Sequence, residues 1–252
     1  MMNESEFQHQ FNEQGFVYCR EFFSTEQVTD ILNEIDRVIR DVVPNMPAEH
    51  VFYEDKTNRK TLKQLQNLNI HDPFFGKLLN RGPVRQLAET LIGHAVNPQN
   101  LQYFNKPPNV GLPTPAHQDG YYFKLTPCRA ITLWLALEEI DAENGCVRYV
   151  TGSHREGMRP HGQTETLGFS QGITDYPTRS DLTHETACPA SPGDLLAHDA
   201  LTIHRADGNS SNTRTRRALG FIYYDQRATE DNIAKESYQK ELKRRLVQDG
   251  KI

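Results

Sequence analysis

The sequence predicts an α+β fold with a mainly β core, a jelly roll with flanking helices, and two observations carry that expectation. From about residue 100 to 225 the chain runs in short stretches rich in β-branched and aromatic residues, such as NLQYF, AITLWLAL, CVRYV, DLLAH and RALGFIYY, broken by Pro, Gly and Asn clusters. Helical periodicity lies on either side of this block. Closely spaced strands bracketed by helices suit one domain built on a sandwich or barrel, and a jelly roll is the natural candidate. The expected organisation is a single domain over 1–252: a mainly helical part over about 1–98, a jelly-roll core over 99–226 and a C-terminal helix over 227–252.

Taken in order, the N-terminal MMNESEFQHQFNEQG is polar and acidic without an apolar segment, which fits neither a secretory signal nor a transit peptide. In STEQVTDILNEIDRVIRDV, Ser24 and Gln27 form a capping-box pattern. Val28, Ile31, Leu32, Ile35, Val38 and Ile39 then recur at helical spacing, so a helix is expected from about 25 to 42. A second is expected at GPVRQLAETLIG, where Pro83 suits a first turn and Val84, Leu87, Leu91 and Ile92 form a stripe. The stretch QGITDYPTRSDLTHETAC has no clear periodicity and reads as a long loop, which makes the region 154–190 a candidate lid. The C-terminal TEDNIAKESYQKELKRRLVQ places opposite charges at helical intervals with few apolar residues, the pattern of a solvated covering helix.

A chain of 252 residues can bury a sizeable core. Its net charge of -5 and pI near 6.1 supply no basic footprint, so neither nucleic acid nor an anionic membrane is expected as a partner and small molecules are. No run approaches the roughly 20 apolar residues of a membrane span. Cys19, Cys128, Cys146 and Cys188 are scattered without a CxxC pair, which disfavours a zinc knuckle and a disulfide framework and fits a cytoplasmic protein. The oligomeric state stays open.

The chemistry gathers in GLPTPAHQDGYYF, where His117 and Asp119 stand two residues apart. If the segment is extended, both side chains project to one side, the spacing of a chelate. A third ligand is needed, and the strongest candidate is His204 in GDLLAHDALTIHRADGNSSNTRTRRALGFIYY, which follows a Gly193-Asp194 turn and a strand-like run. His198, six residues earlier, would share its face on one unbroken strand and is the nearest alternative. Two imidazoles and one carboxylate on one side of a metal form the facial triad of non-haem Fe(II) oxygenases, whose open positions take a bidentate cosubstrate and dioxygen. A carboxylate cosubstrate needs a cation, and Arg214, Arg216 and Arg217 all stand within reach in sequence.

At these residues the chain resembles the phytanoyl-CoA dioxygenase-like branch of the Fe(II)- and 2-oxoglutarate-dependent oxygenases. The likeness runs through EQGFVYCREFFSTEQV, NKPPNVGLPTPAHQDGYYF, LWLALEEIDAENGC, YVTGSH, GDLLAHDALTIHRADGNSS and RRAL. It implies a double-stranded β-helix core, iron held by His117, Asp119 and His204, and 2-oxoglutarate chelating that iron. Retention of Asp119, which halogenating relatives replace by a small residue, favours hydroxylation. The resemblance further implies cosubstrate contacts from Lys63, from Gln102, where relatives often have methionine, and from Trp134.

The chain departs from the pattern twice. Ala206 stands where relatives commonly have serine, and Thr215 stands where they usually have the arginine. Strand alternation puts Arg214, Arg216, Ala218 and Gly220 on one face, and the relatives' arginine lies two residues before an Ala-Leu pair, which selects Arg216 and implies a one-residue insertion in ADGNSSNTRT.

The expected activity is hydroxylation of a C–H bond of a small organic substrate, with release of succinate and CO2. Tyr121, Tyr122, Lys124, His154, Arg155, Arg159 and His161 border the family's pocket, and their basic character would suit a carboxylate, phosphonate or CoA thioester. Two rivals stand beside this reading. One is a jelly-roll metalloenzyme using Zn or Mn for isomerisation or hydrolysis, which has no reason to carry the downstream arginine and Lys63. The other is a non-catalytic metal-binding or sensing domain.

Overall fold

The structure is a computed structural model that describes residues 4–250; the first three residues of the polar N-terminus and the last two of the expected C-terminal segment lie outside the described residues. The chain opens with α1 (Glu4–Gln14), β1 (Phe16–Cys19), α2 (Thr25–Asp41), β2 (Val51–Tyr53), β3 (Leu62–Leu65), α3 (Leu68–His71), α4 (Pro73–Asn80) and α5 (Pro83–Ile92). Next come β4 (Val96–Asn105), β5 (Thr114–His117), α6 (Gly120–Phe123), β6 (Leu125–Thr126), β7 (Ala130–Ala136), β8 (Val147–Val150), β9 (His161–Gln163) and β10 (Gln171–Ile173). It closes with α7 (Arg179–His184), β11 (Glu185–Cys188), β12 (Leu195–Asp199), β13 (His204–Ala206), β14 (Arg217–Asp225), β15 (Thr229–Glu230) and α8 (Asn232–Gln248).

The α2 helix starts where its chemistry asks. The Ser24 hydroxyl accepts from the Gln27 amide while the Gln27 side chain accepts from the Ser24 amide, which satisfies two otherwise unpaired donors. Its stripe of Val28, Ile31, Ile35 and Val38 is buried. Pro83 opens α5, and Gly93, in the left-handed region at φ 77°, ends it.

Two antiparallel sheets make the core. The larger has the order β1-β12-β7-β14-β4-β3-β2 and the smaller β11-β8-β13-β5. Period-2 alternation assigns each strand's faces. From β7, Ile131, Leu133 and Leu135 join the helices through Ile35, Phe75 and Leu91, while Trp134 and Ala136 turn the other way and meet Val147, Tyr149 and Cys188 of the smaller sheet. This is the jelly-roll arrangement the sequence predicts, with helices covering the outer face of the larger sheet. The N-terminal part also supplies three of that sheet's strands, β1, β2 and β3, each four residues or shorter. The stretch 171–188, expected as a loop, instead holds β10, α7 and β11. A Thr178–Asp181 capping box starts α7, and β11 pairs with β8 along the edge of the smaller sheet. Among the described residues, no helix is long and apolar enough to cross a membrane.

Candidate active site

Between the sheets lies a cavity of about 700 Å³ that contains His117, Asp119 and His204 in its wall. The extended reading of HQD is corrected by the backbone. β5 ends at His117, and Asp119, at φ -58° and ψ -34°, already has helical geometry as it leads into α6. The side chains still converge because Gln118 is tied down between them. Its Nε2 donates to the carbonyls of Gly157 (2.8 Å) and Leu201 (2.7 Å), and its Oε1 accepts from the Arg159 amide at 2.8 Å. Fully buried and polar, Gln118 makes the bend rigid.

His204 on β13 stands directly across the ladder from His117 on β5, with ring centroids 4.1 Å apart. One ligand atom from each of His117, Asp119 and His204 lies within 4.8 Å of the others. Their tautomers follow from their outer nitrogens. His117 Nδ1 donates to the Pro115 carbonyl at 2.8 Å, and His204 Nδ1 to the Thr202 carbonyl at 3.0 Å. With Nδ1 as the donor, the neutral form of either ring presents an Nε2 lone pair, and both Nε2 atoms face Asp119 Oδ1, at 3.4 and 3.7 Å.

Burial, with His117 and His198 alongside, holds His204 well below its usual pKa, so the ring is uncharged. Burial also works against the charge on Asp119. The imidazoles of His204, His117 and His198 around it act the other way and hold the carboxyl well below the usual carboxylate range; when the His117 and His204 rings are neutral, the donors that remain are His198 Nε2 and Thr132 Oγ1, both on Oδ2. Two imidazole Nε2 atoms, each on a ring whose Nδ1 is already committed to a carbonyl, facing one carboxylate oxygen, fit a divalent cation.

The opposite end of the same floor is cationic. Arg216 is buried, continues the β14–β4 ladder by exchanging backbone hydrogen bonds with Lys106, and lies over Trp134 with its guanidinium carbon 5.3 Å from the ring centroid. Its Nε donates to the Gly145 carbonyl at 3.2 Å, and among the described residues no carboxylate stands within ion-pair distance of it. Burial pushes its pKa down to about 10. A buried guanidinium without a counter-ion fits a carboxylate ligand.

The other arginines are placed elsewhere. Arg214 pairs with Asp141 and Glu143, and Arg217 pairs with Glu138 and Asp36 on the helix side of the sheet. Lys63 lines the cavity but is paired with Glu54 at 3.1 Å; Gln102 lines it and accepts from Gln64 Nε2 at 2.7 Å. Lys106, which sequence reasoning passed over, is a further buried cation here, held well below its usual pKa by burial and by Arg216 and Lys63.

Of the residues suggested for substrate, Tyr122 lines the cavity; Tyr121, Lys124, His154, Arg155, Arg159 and His161 are not among its lining residues. Arg155 pairs with Glu13, Arg159 with Asp175 and Asp181, and Lys124 lies 4.1 Å from the Tyr121 ring centroid. The mouth is built by part of the 154–190 region read as a candidate lid and by the C-terminal helix read as a solvated cover. Residues 163–170, from the end of β9 to the start of β10, contribute Phe169, whose ring lies 5.1 Å from that of His117. The helix α8 lays Lys235, Tyr238, Leu242 and Arg245 along the opening, and the Tyr238 hydroxyl meets that of Ser170.

Comparison with known proteins agrees with this arrangement. The family model described as Phytanoyl-CoA dioxygenase (PhyH) matches residues 11–218. The chain is 24% identical over 217 residues to a probable alpha-ketoglutarate-dependent hypophosphite dioxygenase of Stutzerimonas stutzeri, covering 84% of this chain and 76% of that protein. It is 25% identical over 250 residues to the peroxisomal phytanoyl-CoA dioxygenase of Bos taurus, covering 90% and 72%. Among solved structures, EvdO2 of Micromonospora carbonacea var. aurantiaca complexed with 2-oxoglutarate is similar at a TM-score of 0.72, with 24% identity over 92% of this chain and 94% of that one. The epimerase SnoN in complex with Fe3+, alpha ketoglutarate and nogalamycin RO is similar at 0.71, with 20% identity over 90% and 85%. At these identities the structural likenesses establish the fold.

Proposed function

We propose, from the premise that the chain belongs to the phytanoyl-CoA dioxygenase family and is an Fe(II)- and 2-oxoglutarate-dependent dioxygenase, that it hydroxylates a C–H bond of a small organic substrate with release of succinate and CO2. On this reading His117, Asp119 and His204 hold the iron. Arg216 holds the far carboxylate of 2-oxoglutarate, and Lys63, Gln102 and Trp134 shape its seat. The observation that carries the reading is the pairing of two ends on one cavity floor: the Nε2 atoms of His117 and His204 facing Asp119 Oδ1, and a buried Arg216 that has no carboxylate within ion-pair distance among the described residues. Thr132, which touches Asp119, and Trp134, beneath Arg216, are two residues apart on β7, roughly 6 to 7 Å along a strand. A short dicarboxylate spans that interval.

Bound iron and 2-oxoglutarate supply the oxidising power drawn from O2. The chain's own residues bind, orient and exclude water. Arg216 meets a carboxylate two-pronged, Trp134 covers one side of the guanidinium, and Phe169 with α8 shields the metal end from solvent. Arg216 also separates this reading from a Lewis-acid hydrolase, which has no dicarboxylate to anchor.

The test is succinate release by the purified protein with Fe(II), O2 and 2-oxoglutarate, alone and across a panel of small acids, amines and CoA esters. Succinate formed by the wild type, stimulated by a panel member and lost in His204→Ala, supports the reading. Absence of 2-oxoglutarate binding to the Fe(II)-loaded protein, together with no succinate across the panel, overturns it.

A further inference from the structure

The two oxygens of Asp119 have different surroundings. Oδ1 faces the His117 and His204 nitrogens. Oδ2 turns to the larger sheet, where Thr132 Oγ1 donates to it at 2.6 Å and His198 Nε2 approaches it at 3.2 Å. Thr132 and His198 are register partners on β7 and β12, so their side chains rise together from one face beneath the carboxylate.

The His198 ring is itself held. Its Nδ1 is 2.9 Å from the hydroxyl of Tyr149, a fully buried residue whose ring stacks on Phe16 at 4.5 Å. A carboxylate oxygen only accepts, so Nε2 carries the proton; in the neutral ring Nδ1 then accepts from the Tyr149 hydroxyl. His198 is thus committed through both nitrogens, although by sequence position it competes with His204 as a ligand.

We infer that Thr132 and His198 are positioning residues that hold Asp119 as a one-oxygen ligand, with Tyr149 setting the orientation of the His198 ring. The inference rests on the triad reading above. Its physical content is a coordination count. A facial triad leaves positions for a bidentate cosubstrate and dioxygen only if the carboxylate occupies one position, and a carboxylate free to rotate can take two. Two donors on Oδ2 fix the carboxylate plane and occupy the lone pairs a second metal bond would need.

The test uses the full chain without cosubstrate, titrated with Co(II) and followed by calorimetry and by the visible ligand-field spectrum, which reports coordination number and geometry. Thr132→Val and His198→Leu remove one donor each, Thr132→Ser and His198→Gln return a donor to the same place, and His204→Ala checks the triad itself. We expect Co(II) affinity to fall roughly 10- to 100-fold in Thr132→Val and His198→Leu, with an altered spectrum, and to recover in the Ser and Gln variants. Thermal unfolding of the metal-free proteins identifies any variant that fails to fold, and the Ser and Gln variants then carry the comparison. Wild-type affinity and spectrum in folded Thr132→Val and His198→Leu would overturn the clamp while leaving the triad standing, provided His204→Ala has lost Co(II). Wild-type Co(II) binding by His204→Ala would overturn both.

Discussion

The two ends of the cavity are built differently. The metal end rests on strands: His204 and His117 are ladder partners, Thr132 and His198 are ladder partners, Gln118 is held by three side-chain hydrogen bonds, and Asp119 Oδ2 meets Thr132 and His198. The mouth rests on the turn 163–170 and on α8, in which Leu246 is the buried residue and most others face water. Backbone ladders with buried, satisfied polar groups resist deformation, whereas a helix held by side-chain tips opens at little cost. The part that must hold metal geometry is rigid, and the part that must admit a substrate is lightly attached.

Substitutions at the metal end should break this contrast most severely. His204→Ala and Asp119→Ala are expected to abolish hydroxylation and 2-oxoglutarate turnover while leaving the circular-dichroism spectrum unchanged, because the ligands sit on a scaffold packed without them. Retained hydroxylase activity in Asp119→Ala would remove it from the ligand set. Next in size is Gln118→Leu, which strips three hydrogen bonds from a fully buried site and leaves two carbonyls and an amide unpaired. The expected loss is about 2–4 kcal/mol of stability, read by denaturant unfolding; a loss under about 0.5 kcal/mol would mean that the bend is held by other means. At the mouth the effects should be smaller. Tyr238→Phe removes the hydroxyl that meets Ser170, worth about 0.5–1.5 kcal/mol, and should speed proteolysis within α8 several-fold while metal affinity stays constant. Unchanged proteolysis would show that α8 is anchored by something other than this contact.

The same contrast decided what could be read beforehand. The helices α2 and α5, the β block and the His117–Asp119 pair were legible because each has a period, a cap or a fixed spacing, whereas the choice of His204 rested on the family resemblance. His198 and His204 could not be separated by alternation, since that assumes one strand. In the structure β12 ends at Asp199 and β13 begins at His204, so the two histidines reach the cavity from opposite sheets. Gln118 carries no signal in HQD because its partners are carbonyls from Gly157 and Leu201, far along the chain. The inner face of α8 was hidden for the opposite reason. It is polar, Lys235, Tyr238 and Arg245 among its residues, so no apolar stripe betrayed that it covers a cavity rather than solvent alone. Strands β1, β2 and β3 were too short for alternation to register; partners supplied by the rest of the chain make them strands.

The central claim, that one floor carries a metal end and a carboxylate end, is tested most directly by anaerobic calorimetry of 2-oxoglutarate binding to the Fe(II)-loaded protein, comparing Arg216→Ala with Arg214→Ala. Arg216 is buried and among the described residues has no carboxylate within ion-pair distance, whereas Arg214 is paired with Asp141 and Glu143 at the surface. Losing a charge-assisted contact costs about 1.5–3 kcal/mol, so Arg216→Ala should weaken 2-oxoglutarate binding roughly 10- to 100-fold and Arg214→Ala less than about twofold. A larger loss in Arg214→Ala, with Arg216→Ala nearly silent, would contradict the account.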